Sequence, residues 1–476
     1  MADISADSID RFVPRTINPI KVGRVVIFSA EKRIRESAGI LTENMPWIDV
    51  DVVHDPQSVN GYIANVPLVF ILDDTALPLV DADAVRSNNP GCVIVLVTAN
   101  MFLQSSAPQP SRERFPFSAR ADLTFAYDAE TCAPPLIVPA SVRAAEDLIN
   151  IRQPGRVRRF VVLVVDDEPR WVSQFLPVLY NIIGQRAAVM IARTFEETLT
   201  FLFGTYEDAL IADSVSETTG QGDDVVFLIT DLIFPRCEEL DSNTGRDLIR
   251  LISRHYPRIP IVIASKADEA DNFRDDFYIL PKGDPGSLKE LKDHIHDYSG
   301  IGDFIVINEH GRVLYRITNI RELHEVLCHA EEESPEGVEL REIFKNYGQR
   351  DAFSTWLYMH SYRELGDTIR PDRSQGLRLI TFLKEHVEKE IERLDTTPLI
   401  IGPDQVFTLN ELVETLKSVP RDVIQHLADN DVISSWLDWK GYSLLADEVR
   451  PIHGSGEDLR EVLTLVIERW IREYRE

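Results

Sequence analysis

The sequence predicts an α/β protein with two doubly wound parallel-sheet domains, followed by a mainly helical tandem-repeat module. Before Ser299, short apolar runs rich in β-branched residues alternate with stretches of helical spacing, and this alternation occurs twice. Beyond Ser299 the apolar residues follow helical spacing, and a set of residues recurs: Trp356 as Trp436 and Pro371 as Pro451, a constant offset of 80 positions.

Composition limits the class of protein. The chain has 476 residues, a net charge of −28 and 44% hydrophobic residues, so about three packed domains are expected. Such an acidic surface repels nucleic acid and anionic membranes, and we expect protein partners instead. No apolar run of ~18 residues occurs, which predicts a cytoplasmic protein. The four cysteines are far apart, which indicates neither a disulfide framework nor a zinc site.

The predicted organisation follows these changes of pattern. The polar start, with Pro14 and Pro19, is predicted as a flexible arm, and the basic stretch from Arg152 to Arg159 as a linker. The predicted parts are the arm at 1–19, a first α/β domain at 20–152, a second at 159–298, a first repeat at 302–394 and a second repeat at 395–476.

The first α/β domain shows four apolar runs with strand character. Stretches that can form helices separate them, as in successive β-α-β units. The runs are Arg24–Phe28, Ile48–Val53, Val66–Leu72 and Val93–Val97.

The second α/β domain has four strands that each end on polar residues. Because the carboxyl ends of parallel strands share one edge of a sheet, these side chains should converge where open α/β folds bind ligands. The strand Phe160–Val165 is followed by Asp166 and Asp167, Val225–Ile229 by Thr230 and Asp231, Ile259–Ala264 by Ser265, and Phe277–Pro281 by Lys282.

These residue types suit phosphoryl transfer to a carboxylate. The three aspartates are hard oxygen ligands for Mg²⁺, which would offset the repulsion between a phosphate and Asp231 as that carboxylate attacks in line. Lys282 and Ser265 could hold phosphoryl oxygens. Taken singly, an acidic pair after a strand is a solvated loop and a lone lysine is a surface residue. If none of these residues had a function, four strands would each have to end on a suitable polar residue by chance.

With these motifs, residues Arg159 to Tyr298 resemble a response-regulator receiver domain, a flavodoxin-like fold. The resemblance implies that Asp231 is the phosphoacceptor, that Ser265 and Lys282 form the switch pair, and that a histidine kinase or phosphotransfer protein is the donor. It also implies a Mg²⁺ site made by Asp166, Asp167, Asp231 and the backbone carbonyl of Ile233.

Three features depart from the family pattern. Gly283 follows Lys282 where proline is usual, and Ile279 stands where the family often has a switching aromatic, with Tyr278 one place earlier. The loop between Pro235 and Gly245 is also long and acidic, with Glu238, Glu239 and Asp241. None of these departures removes a group that the chemistry needs.

The first domain shares part of this pattern. Its segment Val69–Pro78 aligns with Val226–Pro235, which predicts Asp74 at the position of Asp231 and Thr98 near that of Ser265. Its first strand ends on Ser29 and Ala30 rather than an acidic pair, and no lysine lies between Lys32 and Lys266. We therefore predict a pseudo-receiver used for packing or dimerisation. The alternative is an unrelated α/β domain.

The repeats are predicted as small helical modules. Each copy has an early helix, Ile320–Leu327 and Leu409–Leu416, and then the recurring set Trp356, Tyr362, Asp367, Arg370 and their counterparts. We interpret the aromatic residues as core anchors and the Asp and Arg as a structural ion pair or cap; a ligand pocket is the alternative. Two adjacent copies favour a surface for a protein effector. The acidic character disfavours a DNA-binding helix-turn-helix at 409–437.

A second resemblance extends beyond the receiver. From Gly302 through Trp356 to Pro371, and at Asp166–Arg170 and Phe175–Pro177, the chain resembles a regulatory segment beside receivers in bacterial proteins that carry a phosphoenolpyruvate/pyruvate-binding domain. The sequence shows no glycine-rich phosphate loop and no phosphohistidine segment. We therefore do not expect the catalytic activity of those proteins in this chain.

Together these patterns predict a two-component response regulator that acts through protein contacts. It is expected not to be an enzyme, apart from self-catalysed phosphorylation and dephosphorylation. Two alternatives remain open: a phosphate sink or relay intermediate that competes for the kinase, and a scaffold that is never phosphorylated.

Overall fold

The computed structural model divides into two compact units, one ending at Asp293 and the other starting at His294. The first unit contains both α/β sheets and the second is mainly helical. The residues it describes are 17–45, 47–99, 121–127, 133–153, 160–184, 186–205, 219–237, 239–265, 273, 277–283, 286–308, 310–370, 376–450, 452 and 456–473.

The first sheet is parallel and five-stranded, with strand order β2-β1-β3-β4-β5. Its central strands are runs of aliphatic residues buried on both faces, as expected where helices cover a parallel sheet. The strands are β1 (Arg24–Phe28), β2 (Asp49–Val52), β3 (Leu68–Leu72), β4 (Val93–Thr98) and β5 (Leu123–Ala126), and the helices are α1 (Lys32–Asn44), α2 (Pro56–Asn60), α3 (Ala82–Asn88) and α4 (Pro134–Ile151).

The second sheet repeats this topology, with order β7-β6-β8-β11-β12. Its strands are β6 (Phe160–Val165), β7 (Ala187–Ala192), β8 (Val225–Thr230), β11 (Ile261–Ser265) and β12 (Tyr278–Pro281); a separate hairpin is formed by β9 (Phe234–Arg236) and β10 (Glu239–Asp241). The helices are α5 (Pro169–Ile183), α6 (Phe195–Phe203), α7 (Thr244–His255) and α8 (Ser287–Tyr298).

Several sequence expectations need correction here. The strands β5 and β7 were absent from the predicted set, and the expected long loop after Pro235 is largely the β9–β10 hairpin; Glu238 lies outside the described residues. Ile17 and Asn18, expected in a flexible arm, are buried, and the Asn18 amide donates to Asp147 on α4 at 2.6 Å. Residues 1–16 and 154–159, which hold most of the arm and of the linker, also lie outside the described ranges.

The two sheets pack together through their edge strands. The outward N–H of Val189 on β7 donates to Asp147 Oδ2 on α4 at 2.8 Å, and the Tyr180 hydroxyl on α5 donates to the same oxygen at 3.0 Å. In return, the N–H of Ala126 on β5 donates to Ser173 Oγ on α5 at 2.9 Å. Each sheet thus has one N–H of an edge strand bonded to a side chain from the neighbouring domain.

In the second unit, two antiparallel hairpins each precede a series of helices. The first series packs around the buried Trp356 and Tyr362, and the second includes Trp436 in its core. The elements are β13 (Phe304–Ile307), β14 (Val313–Ile317), α9 (Ile320–Glu331), α10 (Pro335–Gln349), α11 (Ala352–Met359), α12 (Arg363–Ile369) and α13 (Leu377–Thr396), then β15 (Leu399–Ile401), β16 (Asp404–Val406), α14 (Leu409–Ser418), α15 (Arg421–Asp429), α16 (Val432–Trp439), α17 (Ser443–Val449) and α18 (Gly456–Glu473).

The recurring arginines form structural ion pairs. Arg370 Nε lies 2.8 Å from Asp351, and Arg450 Nε lies 3.2 Å from Asp431. Both aspartates have positive φ, 60° and 57°, directly before α11 and α16. The aspartate expected beside Arg370, Asp367, instead accepts a hydrogen bond from the Tyr358 hydroxyl.

Among the helices of the described ranges, none combines the length and apolar character needed to cross a membrane.

Candidate functional site

Backbone pairing brings the candidate residues of the second sheet to one rim. The N–H of Asp231 donates to the carbonyl of Val165 at 2.8 Å, which places Asp231 beside the acidic pair that follows β6. The N–H of Lys282 donates to the carbonyl of Ser265 at 3.1 Å, which joins the ends of β11 and β12. The rim position of each side chain therefore follows from strand register.

Three carboxylates converge at this rim. Asp166, Asp167 and Asp231 each offer an oxygen that lies within 4.8 Å of the others, and they are 2%, 3% and 7% exposed. Lys282 Nζ lies 2.7 Å from Asp166 Oδ2 and 2.5 Å from Asp231 Oδ2. The structure therefore brings together four of the predicted site residues.

Burial shifts the protonation of this cluster. Burial raises the pKa of Asp166 to about 8, against the opposing charge of Lys282, and Asp231 adds to the rise. Burial likewise raises the pKa of Asp231, although Lys282 opposes it. For Lys282, burial alone would lower the pKa, but the Asp166 and Asp231 carboxylates more than compensate and raise it above its usual value. Burial therefore favours the neutral form of both carboxyl groups, and the ammonium of Lys282 favours their charged form.

The donor set fits Mg²⁺. Three buried carboxylates each offer an oxygen within 4.8 Å of the others, and such hard oxygen ligands are the ones that this small divalent cation prefers. Asp166, Asp167 and Asp231 are the residues that would hold it. Ile233 lies in the bend between β8 and β9. That its backbone carbonyl is a further metal ligand stays a prediction.

Local contacts fix the loop that carries Asp231. The N–H of Leu232 donates to Asp231 Oδ1 at 2.7 Å, and the N–H of Glu168 donates to Asp166 Oδ1 at 2.9 Å. Gly245 closely approaches this loop: a Cβ on it would lie 2.5 Å from Leu232 Cα and 2.6 Å from the Asp231 carbonyl oxygen. The close approach between the start of α7 and the loop that carries Asp231 therefore requires glycine at position 245.

The remaining predicted residues lie close by in the fold. Ser265 is fully buried at the end of β11 and contacts Lys282 through its backbone. On β12, Ile279 packs against the core, whereas the Tyr278 hydroxyl donates to Glu290 on α8 at 2.8 Å. Gly283 has a φ of 89°, in the left-handed region that favours glycine.

The first sheet holds a different arrangement at the same rim. The register pairs Phe28 with Leu72 and Leu72 with Leu96, as it pairs Val165 with Thr230 and Thr230 with Ile263 in the second sheet. Asp73, and not Asp74 as the sequence alignment predicted, therefore occupies the position of Asp231. Thr98 matches Ser265, and its hydroxyl donates to Asp74 at 2.5 Å.

Asp73 is satisfied entirely by its own chain. Its Oδ2 accepts from the Ser29 hydroxyl and from the N–H groups of Ala30 and Glu31, and its Oδ1 accepts from the hydroxyl and N–H of Thr75 and the N–H of Ala76. Burial opposes ionisation, but these hydrogen bonds outweigh it and lower the pKa of Asp73. Hydrogen-bond donors thus surround Asp73, whereas Lys282 and two other carboxylates surround Asp231.

Two further residues lie near the second rim: Trp171, whose sequence context predicts core or edge packing, and Arg193, which was not predicted as a site residue. Trp171 on α5 is 4% exposed, with its ring 5.8 Å from Lys282 Nζ and 3.9 Å from the Arg170 guanidinium. Arg193, directly after β7, lies beside Asp166 because Val165 pairs with Ala192. Arg193 could not be predicted as a site residue because it follows β7, a strand that the sequence analysis did not predict.

Comparisons with known proteins give no family assignment. No family model matches the chain, and no curated protein matches it. Similar solved structures include a two-component system response regulator/GGDEF domain protein, with a TM-score of 0.23 and 17% identity over 57% of this chain and 97% of that one. Full-length ShkA in complex with AMPPNP has a TM-score of 0.18 and 15% identity over 59% and 51%.

A third similar solved structure is named for an isomerase and not for a signalling protein. Tagatose-6-phosphate ketose/aldose isomerase from Escherichia coli has a TM-score of 0.20 and 11% identity over 57% of this chain and 80% of that one. Likeness at this level carries no argument about function, so the function must be argued from the site itself.

Proposed function

We propose that this chain is a response regulator whose second α/β domain accepts a phosphoryl group on Asp231. The convergence of Asp166, Asp167, Asp231 and Lys282 at one buried sheet rim carries this proposal. The flavodoxin-like strand order of both sheets supports it, since such folds bind ligands at the carboxyl ends of their strands.

The proposed step is an in-line displacement. An oxygen of the Asp231 carboxylate attacks the phosphorus of a phosphohistidine on a kinase or phosphotransfer protein; the P–O bond forms, the P–N bond breaks and the leaving imidazole takes up a proton. The Leu232 N–H orients the nucleophile through its 2.7 Å bond to Oδ1. When bound, Mg²⁺ would neutralise charge that builds up between the phosphoryl group and the carboxylates.

Lys282 has a defined part in this step. Its ammonium is paired with Asp231 before transfer, and a phosphoryl oxygen on Asp231 could become its new partner. Ser265 lies on the neighbouring strand, joined to Lys282 by backbone, so a shift of Lys282 would move the β11–β12 end. We propose that this shift is the signal, read by a protein effector, and that the helical residues 294–473 form the output module.

The topology of that module supports two structural repeats. Both series consist of a hairpin followed by helices in the same order, and the Arg370–Asp351 and Arg450–Asp431 pairs lie at equivalent places. The first sheet is proposed to be a pseudo-receiver, because hydrogen bonds already saturate Asp73 and leave no carboxylate cluster at its described rim.

The proposal is tested by intact mass spectrometry after incubation with Mg²⁺ and acetyl phosphate or phosphoramidate. The wild type should gain one phosphoryl group and Asp231→Asn none. Asp74→Asn is the matched control: it removes a half-buried carboxylate next to the rim of the first sheet and should be labelled like the wild type. An unlabelled wild type, or labelling of Asp231→Asn equal to wild type, contradicts the proposal.

A further inference from the structure

A small cavity lies between the two α/β domains, next to the carboxylate cluster. Its walls on the second domain include Asp166, Asp167 and Arg193, and its walls on the first include Asp122 and Thr124. The first domain therefore reaches the site through β5, the edge strand that also bonds to Ser173 of α5.

The cavity wall from the first domain includes a buried hydroxyl, that of Thr124. Thr124 is 7% exposed, and its hydroxyl has no hydrogen-bond partner among the residues that the structure describes. A buried hydroxyl without a partner is destabilising relative to one that is satisfied. A buried polar group of this kind at the edge of a carboxylate cluster is a candidate to bond a ligand or an ordered water.

The other polar groups of the cavity are already engaged. The Asp122 carboxylate accepts from the Ile94 N–H at 2.9 Å and pairs with Arg86 at 3.0 Å and Arg152 at 2.9 Å. Arg193 pairs with Glu197 at 3.5 Å. Thr124 is thus the group of the first domain with hydrogen-bonding capacity to offer the cluster.

We propose that Thr124 is a positioning residue for the metal site: its hydroxyl holds a water molecule of the Mg²⁺ hydration shell. Mg²⁺ binds through few carboxylates and keeps several waters, and each of these waters needs hydrogen-bond acceptors. The first domain then serves as a second wall of the phosphoacceptor site, and metal binding ties β5 to the receiver-like domain. This inference rests on the proposed function, since it takes the same Mg²⁺ site as given.

The experiment is a calorimetric Mg²⁺ titration of the full chain. Thr124→Val removes the hydroxyl but keeps the side-chain shape, and should weaken Mg²⁺ binding about threefold to tenfold, the effect of one net hydrogen bond. Thr124→Ser keeps the hydroxyl and should bind like wild type. Thr464→Val is the matched control, because Thr464 is another buried threonine whose hydroxyl lacks a partner among the described residues, and it lies in the second unit.

A second measurement starts with the wild type alone, so its first result does not depend on whether a variant folds. In the wild type, Mg²⁺ should slow backbone hydrogen exchange over Leu123–Tyr127, and Thr124→Val should lose this protection. Unchanged exchange in the wild type, or equal Mg²⁺ affinity of Thr124→Val and wild type, overturns the inference while leaving the proposed function intact. If the wild type binds no Mg²⁺, or Asp167→Asn binds as well as wild type, the metal site of the proposed function fails as well.

Discussion

Lys282 Nζ lies 2.5 Å from Oδ2 of Asp231, in a cluster whose side chains solvent barely reaches. The same ammonium also contacts Asp166, so one cation balances two buried carboxylates. Such an arrangement stabilises the fold only while the cation is present.

Replacing Lys282 by Met should therefore destabilise the α/β unit. The carboxylates of Asp166 and Asp231 would lose their buried partner, at an expected cost of about 3–5 kcal/mol, less whatever protonation of the two acids recovers. Added Mg²⁺ should restore part of the loss. The slowest exchanging amides of β6 and β8 report the free energy of global opening.

Lys384→Met is the control for that measurement. Lys384 pairs with Glu331 in the second unit, where both side chains are partly exposed, so its loss should change stability by about 1 kcal/mol or less. A Lys282→Met protein as stable as the control would show that the cluster does not need the ammonium.

Asp73→Asn should destabilise the first domain at neutral pH by roughly 1–3 kcal/mol, because an amide NH₂ would face donors that now give hydrogen bonds to a carboxylate. The folded pKa of Asp73 lies below its unfolded value, so its contribution is present above the unfolded pKa and disappears as pH falls through the folded one. The difference in melting temperature between wild type and variant should thus shrink in acid. A constant difference from pH 7 down to pH values of about 2 would contradict this.

Gly245→Ala should impair the acceptor. The added Cβ would lie 2.5 Å from Leu232 Cα, so the loop that carries Asp231 must shift, at about 1–3 kcal/mol. Labelling by acetyl phosphate should slow, which time-resolved mass spectrometry measures. Gly39→Ala, at a helical glycine with nothing within 4 Å of the added atom, should leave labelling unchanged.

Arg370→Met and Arg450→Met should each destabilise the helical unit by roughly 2 kcal/mol, because each leaves a buried aspartate without its cation. Thermal unfolding followed by circular dichroism measures the effect. Arg321→Met, which removes an exposed pair with Asp395, should fall within about 0.5 kcal/mol of wild type. Equal stability of all three variants would mean that the recurring arginines are not structural.

The carboxylate cluster was predictable because long apolar runs mark β6 and β8, and the polar residues follow them directly. The strand β7 was not: its sequence, Ala-Ala-Val-Met-Ile-Ala, suits a helix as well as a strand, and only pairing with β6 decides. The sequence alignment matched Asp74 rather than Asp73 to Asp231 for a similar reason. Sequence alignment compares side chains, whereas backbone pairing between β1, β3 and β4 sets which residue reaches the rim.

Contacts between the domains were beyond sequence reasoning for another reason. Thr124 lines the same cavity as Asp166 and Asp167 because β5, a four-residue strand, packs against α5, and no local sequence pattern encodes that packing. The same holds for Asp147, whose partners Asn18, Tyr180 and Val189 come from three separate segments.

The bonds from Val189 to Asp147 and from Ala126 to Ser173 also bear on solubility. An open sheet edge is a template for strand addition by another molecule, and here each domain covers one edge of the other. Either α/β domain expressed alone would expose that edge, β5 or β7. We therefore expect the separated domains to aggregate at high concentration and the joined pair not to. This requirement would keep the two domains together in one chain, whatever signal passes between them.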